Sequence, residues 1–362
     1  MSAHTVSLFY RNGTKQAGRD SKTLVSVLTG ATSPRDLSKQ LSKIEAIHNL
    51  GSSERPDIIS DLSLQSSKTS LYKDIIRNYP EYIVSTLPIY QCKTRNSLVD
   101  GSELLDIIEE QLEMGVSFIT IHPTANYKTI QLAQERLVPW TSRGGVMAIK
   151  DLAARSFLVD NVYLRIIDDI VKIAKKNNTI ISIGASFRSA NIFDSLDDCQ
   201  LEEFKMQKEI ADYINKRGVG VIIEGPGHSS PKQLKNVAKH YELMGYPIMP
   251  LGPIPTDVAI NQDHIASAIG ATILGMLNCA DIITAVTREE HTGKIPSTES
   301  SIEAIKAAKL AAHIIDMNKL EDYNSDMQIV NYRTTHQTCI YGKKKSGCSR
   351  CAHVCPLQYK IE

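Results

Sequence analysis

Cys348, Cys351 and Cys355 stand near the C-terminus in a C-x2-C-x3-C run led by Gly347 and closed by Pro356. Three thiolates in one short loop suit an iron–sulfur cluster. Four thiolates fill every iron of a 4Fe–4S cluster, whereas three leave one iron open to a ligand that is not protein, and chemistry happens at that iron. The spacing therefore predicts a cluster used as a reagent. Two other readings fit the same residues: a Cys3His zinc site with His336 or His353 as fourth ligand, and a closed electron-transfer cluster with Cys339 as fourth thiolate. A disulfide framework fits poorly, since the 7 cysteines are odd in number, Cys92, Cys199 and Cys279 are scattered, and no secretory segment opens the chain. A reducing cytoplasm is expected.

A second set of reactive residues follows short apolar runs: Asp61-Leu62-Ser63, Pro88-Ile89-Tyr90-Gln91, His122, Glu224-Gly225-Pro226-Gly227-His228, Gly252-Pro253 and Glu290-His291. Singly, each has a structural reading, because a lone His is usually a hydrogen-bonded core residue. Their recurrence at the ends of successive runs is the signal. His228 and His291 are placed to offer two imidazoles to one divalent metal. Ser142-Arg143-Gly144-Gly145 reads as an anion cradle, in which glycines let backbone N–H groups approach an oxyanion and Arg143 supplies a fork suited to phosphate. Arg188 is either a further cation for the ligand or half of a surface ion pair.

The elements that must carry these residues come from periodicity. Short β-branched runs at 23–28, 57–62, 82–86, 118–122, 179–183, 218–223, 246–251 and 280–286 alternate with amphipathic stretches such as 104–113, 162–176, 202–216 and 231–244. Eight strands alternating with helices predict an α/β fold of the (β/α)8 barrel type, whose chemistry sits at the carboxyl ends of the strands. The beat is irregular over 125–178, which leaves a doubly wound sheet open. The division expected is a polar arm or loop over 1–22, the barrel over 23–297, a helical segment over 298–330 and an iron–sulfur tail over 331–362, with 322–345 an irregular tether. The 41 basic and 40 acidic residues give a net charge of +1, so no global field recruits nucleic acid or membrane. Lys343-Lys344-Lys345 reads as a solvated run, and no apolar stretch reaches the roughly 18 residues of a membrane span.

Taken together, these motifs resemble the phosphomethylpyrimidine synthase (ThiC) family. Further matching stretches are Thr120-Ile121-His122, Leu251-Gly252-Pro253 with Thr256-Asp257, Asp263-His264-Ile265 with Ser267-Ala268-Ile269-Gly270-Ala271, and Val286-Thr287. The resemblance implies a barrel with a helical segment and a cysteine loop. It also implies a non-standard radical S-adenosylmethionine enzyme that rearranges aminoimidazole ribotide into hydroxymethylpyrimidine phosphate for thiamine. In that chemistry the open iron chelates S-adenosylmethionine, and a 5′-deoxyadenosyl radical takes hydrogen from the ribotide. By motif, Cys348, Cys351 and Cys355 would hold the cluster and His228 and His291 a zinc ion. Ser142, Arg143 and Gly144 would hold the substrate phosphate, and Tyr90, His122 and Glu224 the substrate or its radical. The implied partners are an electron donor such as ferredoxin or flavodoxin and a second copy, whose barrel the cysteine loop covers.

The departures are specific. The family's cysteine run is C-x2-C-x4-C, one residue longer than here, and its N-terminal region is longer. Its Asp-Gly-Leu-Arg is Ala185-Ser186-Phe187-Arg188, its Tyr-Thr-Leu-Gly-Pro is Met249-Pro250-Leu251-Gly252-Pro253, and Ser60 takes the place of a Met. An Asn-Ala-Asn-Ile-Gly loop has no clear counterpart near Leu28-Thr29-Gly30. Loss of groups that pair with substrate hydroxyls shifts specificity by up to about 10⁴-fold. A paralogue acting on another phosphorylated heterocycle, as the hydroxybenzimidazole synthases do, is the alternative, and a non-catalytic iron–sulfur protein is the alternative from another class.

Overall fold

The computed structural model describes residues 4–68, 70–342, 350–351 and 354–359. Its first element is a hairpin of β1 (Thr5–Tyr10) and β2 (Gly13–Gly18). Eight strands then form one parallel sheet: β3 (Leu24–Thr29), β4 (Ile58–Asp61), β5 (Ile83–Thr86), β6 (Phe118–Ile121), β7 (Ile180–Ile183), β8 (Val221–Pro226), β9 (Ile248–Leu251) and β10 (Ile282–Ala285). Consecutive strands pair from β3 through β9, and β10 returns to pair with β3. At the β9/β10 seam Asp281 does the joining: its N–H donates to the Ile248 carbonyl at 2.8 Å, and its carboxylate accepts the Ile248 N–H at 2.9 Å. This order is that of a (β/α)8 barrel and excludes the doubly wound alternative, in which the strand order reverses.

Over the stretch where periodicity gave no clear reading lie helices at Tyr127–Gln134, Arg143–Ala154, Val162–Arg165 and Ile167–Lys176. Their short lengths and the intervening loops break the pattern. The region from 322 is not an irregular tether either, since Asn324–His336 is helical. None of its residues is buried, which explains why no apolar stripe announced it.

The N-terminal segment is likewise no loose arm. The turn before Gly13 folds it back, and alternation along β1 puts Val6 and Leu8 on one face. That face, with Ala17, packs on Leu24, Ile58, Ile83, Phe118, Ile180, Ile222, Met249 and Ile282, one side chain from each barrel strand. The hairpin thus closes the amino-terminal end of the barrel. Lys15 adds an ion pair to Asp57 at 2.5 Å. Truncating the fully buried Leu8 to Ala would cost about 2–5 kcal/mol.

Above that apolar floor the inward residues change character. Two positions further along the strands stand Ser26, Ser60, Ser85, Thr120, Ser182, Glu224, Leu251 and Thr284, all but Leu251 polar. Barrels of this kind usually fill their interior with branched apolar side chains. Small hydroxyl residues instead leave an open well.

Candidate active site

The well opens at the carboxyl ends of the strands as a cavity of about 290 Å3. A larger cavity of about 560 Å3 lies beside the hairpin, at the other end of the barrel, but its walls carry no carboxylate, imidazole or thiol. The upper cavity is the one that gathers the reactive residues singled out in the sequence: its walls include Tyr90, His122, Ser142, Arg143, Arg188, Glu224, His228 and His291.

At the inner pole, His122 is 2% exposed and its ring lies between two glycines. A Cβ on Gly144 would stand 2.5 Å from the ring, and one on Gly184 2.7 Å. Gly144 is thus required for packing against His122, whatever else it binds. Its Nδ1 is buried without a partner, and its Nε2 is 3.9 Å from Glu224 Oε2. Burial, reinforced by Arg188, pushes the imidazole down to about 3, so it is neutral at physiological pH. Glu224 is pushed up by burial, against the pull of Arg188 and of the Ala185 N–H, which donates to Oε2 at 2.9 Å. Tyr90 is raised by burial too, with Arg143 above its ring at 5.5 Å.

Beside this pole, Ser142 caps the helix Arg143–Ala154, its Oγ accepting the Gly145 N–H at 3.1 Å. Having accepted, the hydroxyl still has its proton to donate. The first N–H groups of a helix lack internal partners and carry its positive end, so Ser142, Arg143 and Gly144 stand where a helix favours negative charge.

At the rim, the His228 and His291 rings meet edge to face with centroids 4.9 Å apart. Each Nδ1 faces a carboxylate: His228 to Asp257 at 2.6 Å, and His291 to Asp263 at 2.7 Å. Donation from Nδ1 leaves the Nε2 lone pair for a metal, the usual outer-shell arrangement. Asp257 is itself fixed by the Ile192 N–H at 2.9 Å. His228 is lowered by burial, despite Asp257, and is the neutral form a metal needs. Gly227 has φ +82° and a would-be Cβ in collision with the Ser189 backbone, so only glycine turns the chain here to deliver His228. Among the described residues no group of three or more His, Cys, Asp or Glu is placed to hold a metal ion.

The cluster motif is described only in part. Cys351 and Cys355 are half-buried free thiols and Cys339 is an exposed one, while Cys348 and His353 lie outside the described residues. Sequence reasoning assigned no role to Asp257, Asp263, Ser26, Ser85 or Glu203. Asp257 lies 29 residues from its histidine and Asp263 lies 28 from its own, so no local spacing joins them. Glu203 is buried under the loop after β7. It accepts the Phe187 N–H at 3.0 Å and the Thr124 hydroxyl at 2.6 Å, and so fixes the segment carrying Arg188.

Comparison with known proteins adds identity to this geometry. A phosphomethylpyrimidine synthase from Archaeoglobus fulgidus is 31% identical over 83% of this chain and 76% of its own. One from Thermoanaerobacter is 32% identical over 84% and 71%, and one from Pyrobaculum aerophilum 29% identical over 95% and 85%. In fold alone the chain is similar to a dihydropteroate synthase from Xanthomonas albilineans, with a TM-score of 0.50 at 8% identity over 85% of this chain and 97% of that one. The sequence model that describes the Radical SAM ThiC family matches residues 9–360, from the floor-sealing hairpin to the cysteine run. A barrel carrying this rim and matched over that span belongs to the radical SAM ThiC family.

Proposed function

We propose that the protein rearranges aminoimidazole ribotide to hydroxymethylpyrimidine phosphate, as a phosphomethylpyrimidine synthase. The observation that carries this reading is convergence: the helix start at Ser142 and Arg143, buried Glu224 and His122, and paired imidazoles all line one cavity. The names of the relatives support the same assignment.

Arg143, through its guanidinium and its backbone N–H, and the Ser142 hydroxyl would bind the substrate phosphate and so fix its orientation. Arg188 adds positive charge beside Glu224 and His122. Ala185 engages Glu224 Oε2, leaving Oε1 for a proton on the substrate. Burial raises this carboxyl above its ordinary value, which makes it a better acceptor for that proton. Neutral His122 offers a hydrogen bond without adding charge, and Tyr90 keeps its phenolic proton. Cys348, Cys351 and Cys355 would hold the 4Fe–4S cluster, and His228 and His291 a zinc ion. When bound, the cluster and S-adenosylmethionine would supply one-electron chemistry for hydrogen abstraction, and zinc would supply Lewis acidity.

Buried free thiols at Cys92, Cys199 and Cys279 support a reducing, cytoplasmic setting. Among the described residues no helix is long and apolar enough to cross a membrane. Exposed Ile265, Ile269, Leu310 and Ile314 on helices Asp263–Gly275 and Thr298–Leu320 support pairing of two copies. A low-potential ferredoxin or flavodoxin is the partner such a cluster requires.

Anaerobic reconstitution with aminoimidazole ribotide and S-adenosylmethionine, followed by product analysis, tests the assignment. Hydroxymethylpyrimidine phosphate is the expected product. Conversion of only another phosphorylated heterocycle would establish the paralogue reading, which apolar Met249 on the cavity floor favours. If Cys339→Ala abolished the cluster as fully as Cys351→Ala, the electron-carrier reading would take its place.

A further inference from the structure

The cavity of about 560 Å3 beside the hairpin lies at the opposite end of the barrel from the site described above. The barrel floor separates the two: Ser117 lines the lower cavity, and its neighbour Phe118 lines the upper one. The hairpin supplies Phe9, Tyr10 and Arg11 to the lower wall, and the helix Leu71–Asn78 supplies Lys73 and Arg77. The volume is that of a small-molecule site, roughly 300–1,000 Å3.

The wall holds three cations and no carboxylate. Lys73 and Arg77 stand one turn apart on the same face of their helix. The Arg11 guanidinium donates to the Ile76 carbonyl at 3.4 Å, which brings a third positive group to that turn. A helix C-terminus tolerates cations, and Lys73 pairs with Glu110 outside the wall. Neither arrangement satisfies the guanidiniums. Among the described residues, Arg11 and Arg77 have no ion-pair partner, and each guanidinium has five N–H donors in a planar fork. Such forks match phosphate oxygens in pairs.

Phe9 adds the apolar half of the site. Alternation along β1 turns Val6 and Leu8 into the barrel floor and Phe9 away from it, and the Phe9 side chain is left 48% exposed. It is therefore not needed to seal the barrel, and its open face suits stacking by a planar ring. A bare inorganic anion would leave Phe9 and most of the volume unused. An apolar ligand would leave the guanidiniums unpaired.

We propose that this lower cavity is a second ligand-binding site, which takes a phosphorylated heteroaromatic compound of mononucleotide size, its phosphate on Arg11 and Arg77 and its ring against Phe9. The assignment is independent of the substrate that the upper cavity takes.

Calorimetry on the full chain with adenosine 5′-monophosphate, adenosine and inorganic phosphate tests it. The monophosphate should bind at least about 10-fold more tightly than either fragment, because only it engages both halves of the wall. The double change Arg11→Ala, Arg77→Ala should weaken it by about 10–100-fold, the scale of lost hydrogen bonds to a charged group. Phe9→Ala should weaken it by about 10-fold and leave inorganic phosphate within about twofold. Arg143→Ala, in the upper cavity, should leave the monophosphate within about twofold, since distant sites act independently. All three lower-wall residues are exposed, so unchanged melting is expected. If the double variant melts early, Arg77→Gln alone decides by the same loss. A loss in Arg143→Ala as large as in the double variant would place the nucleotide in the upper cavity and overturn the proposal. Absence of binding by the unmodified protein, or equal affinity for the monophosphate and inorganic phosphate, overturns it too.

Discussion

The cavity has two histidine environments, and they differ at one ring nitrogen. At the rim, Nδ1 of His228 and of His291 each faces a carboxylate, which leaves Nε2 turned outward. In the interior, Nδ1 of His122 has no partner, and the ring is clamped between Gly144 and Gly184. The same side chain is prepared for opposite tasks. A carboxylate behind the ring fixes its tautomer, a requirement of a metal ligand. Burial with neighbouring Arg188, and no carboxylate at Nδ1, keeps His122 uncharged.

The largest effect should come from removing a rim imidazole. His228→Ala is expected to lose zinc and to lower turnover by about 10³-fold, the upper end for one preorganised electrostatic group. Metal analysis and product formation measure both, and a variant with full zinc content would break the distinction between the poles. Glu224→Gln should lower kcat by about 10²–10³-fold with zinc content unchanged, because it removes the acid/base group proposed for the interior and leaves the rim intact. Asp257→Asn is milder. It should weaken zinc binding by about 10–100-fold, with activity recovered by added zinc. No recovery would mean that Asp257 holds the loop at Ile192 rather than the metal.

The contrast also shows what a sequence makes legible. All eight barrel strands followed from β-branched runs, because a parallel strand buried on both faces is rich in Val and Ile even where small hydroxyl residues interrupt it. Tyr90, His122, Glu224, His228 and His291 could be placed at one rim because chain order and strand direction determine which residues end a strand. The hairpin was missed because Gly13–Gly18 is polar and supplies little beyond Ala17 to the floor. The pairing of Asp257 and Asp263 with their histidines, and the hydrogen-bonded hydroxyls of Ser26, Ser60 and Ser85 across β3, β4 and β5, arise from contacts between distant segments. A serine within a strand carries no mark of whether its neighbour strand offers another.

The smallest expected effect lies in stability, and it sharpens the difference between the poles by titrating the interior alone. Burial pushes Glu203 up from its ordinary 4.5 to about 7, against the hydrogen bonds from Thr124 and Phe187 and the charge of Arg136. The folded state therefore binds this proton more tightly than the unfolded chain does. That contribution is fully present below about pH 4.5 and is lost as pH rises through about 7, for a total of roughly 3 kcal/mol. His122 has the opposite sign: its folded value lies below the unfolded one, so its contribution is present above about pH 6.5 and is lost as pH falls toward 3. Glu203→Gln removes only the first. Relative to the unmodified protein, the variant should gain stability as pH rises from 4.5 to 7, by a few degrees in Tm for a chain of this size. Thermal melts across that window read the difference directly. Parallel curves would show that Glu203 is ionised in the folded state throughout, and that Arg136 outweighs burial at the base of the loop that carries Arg188.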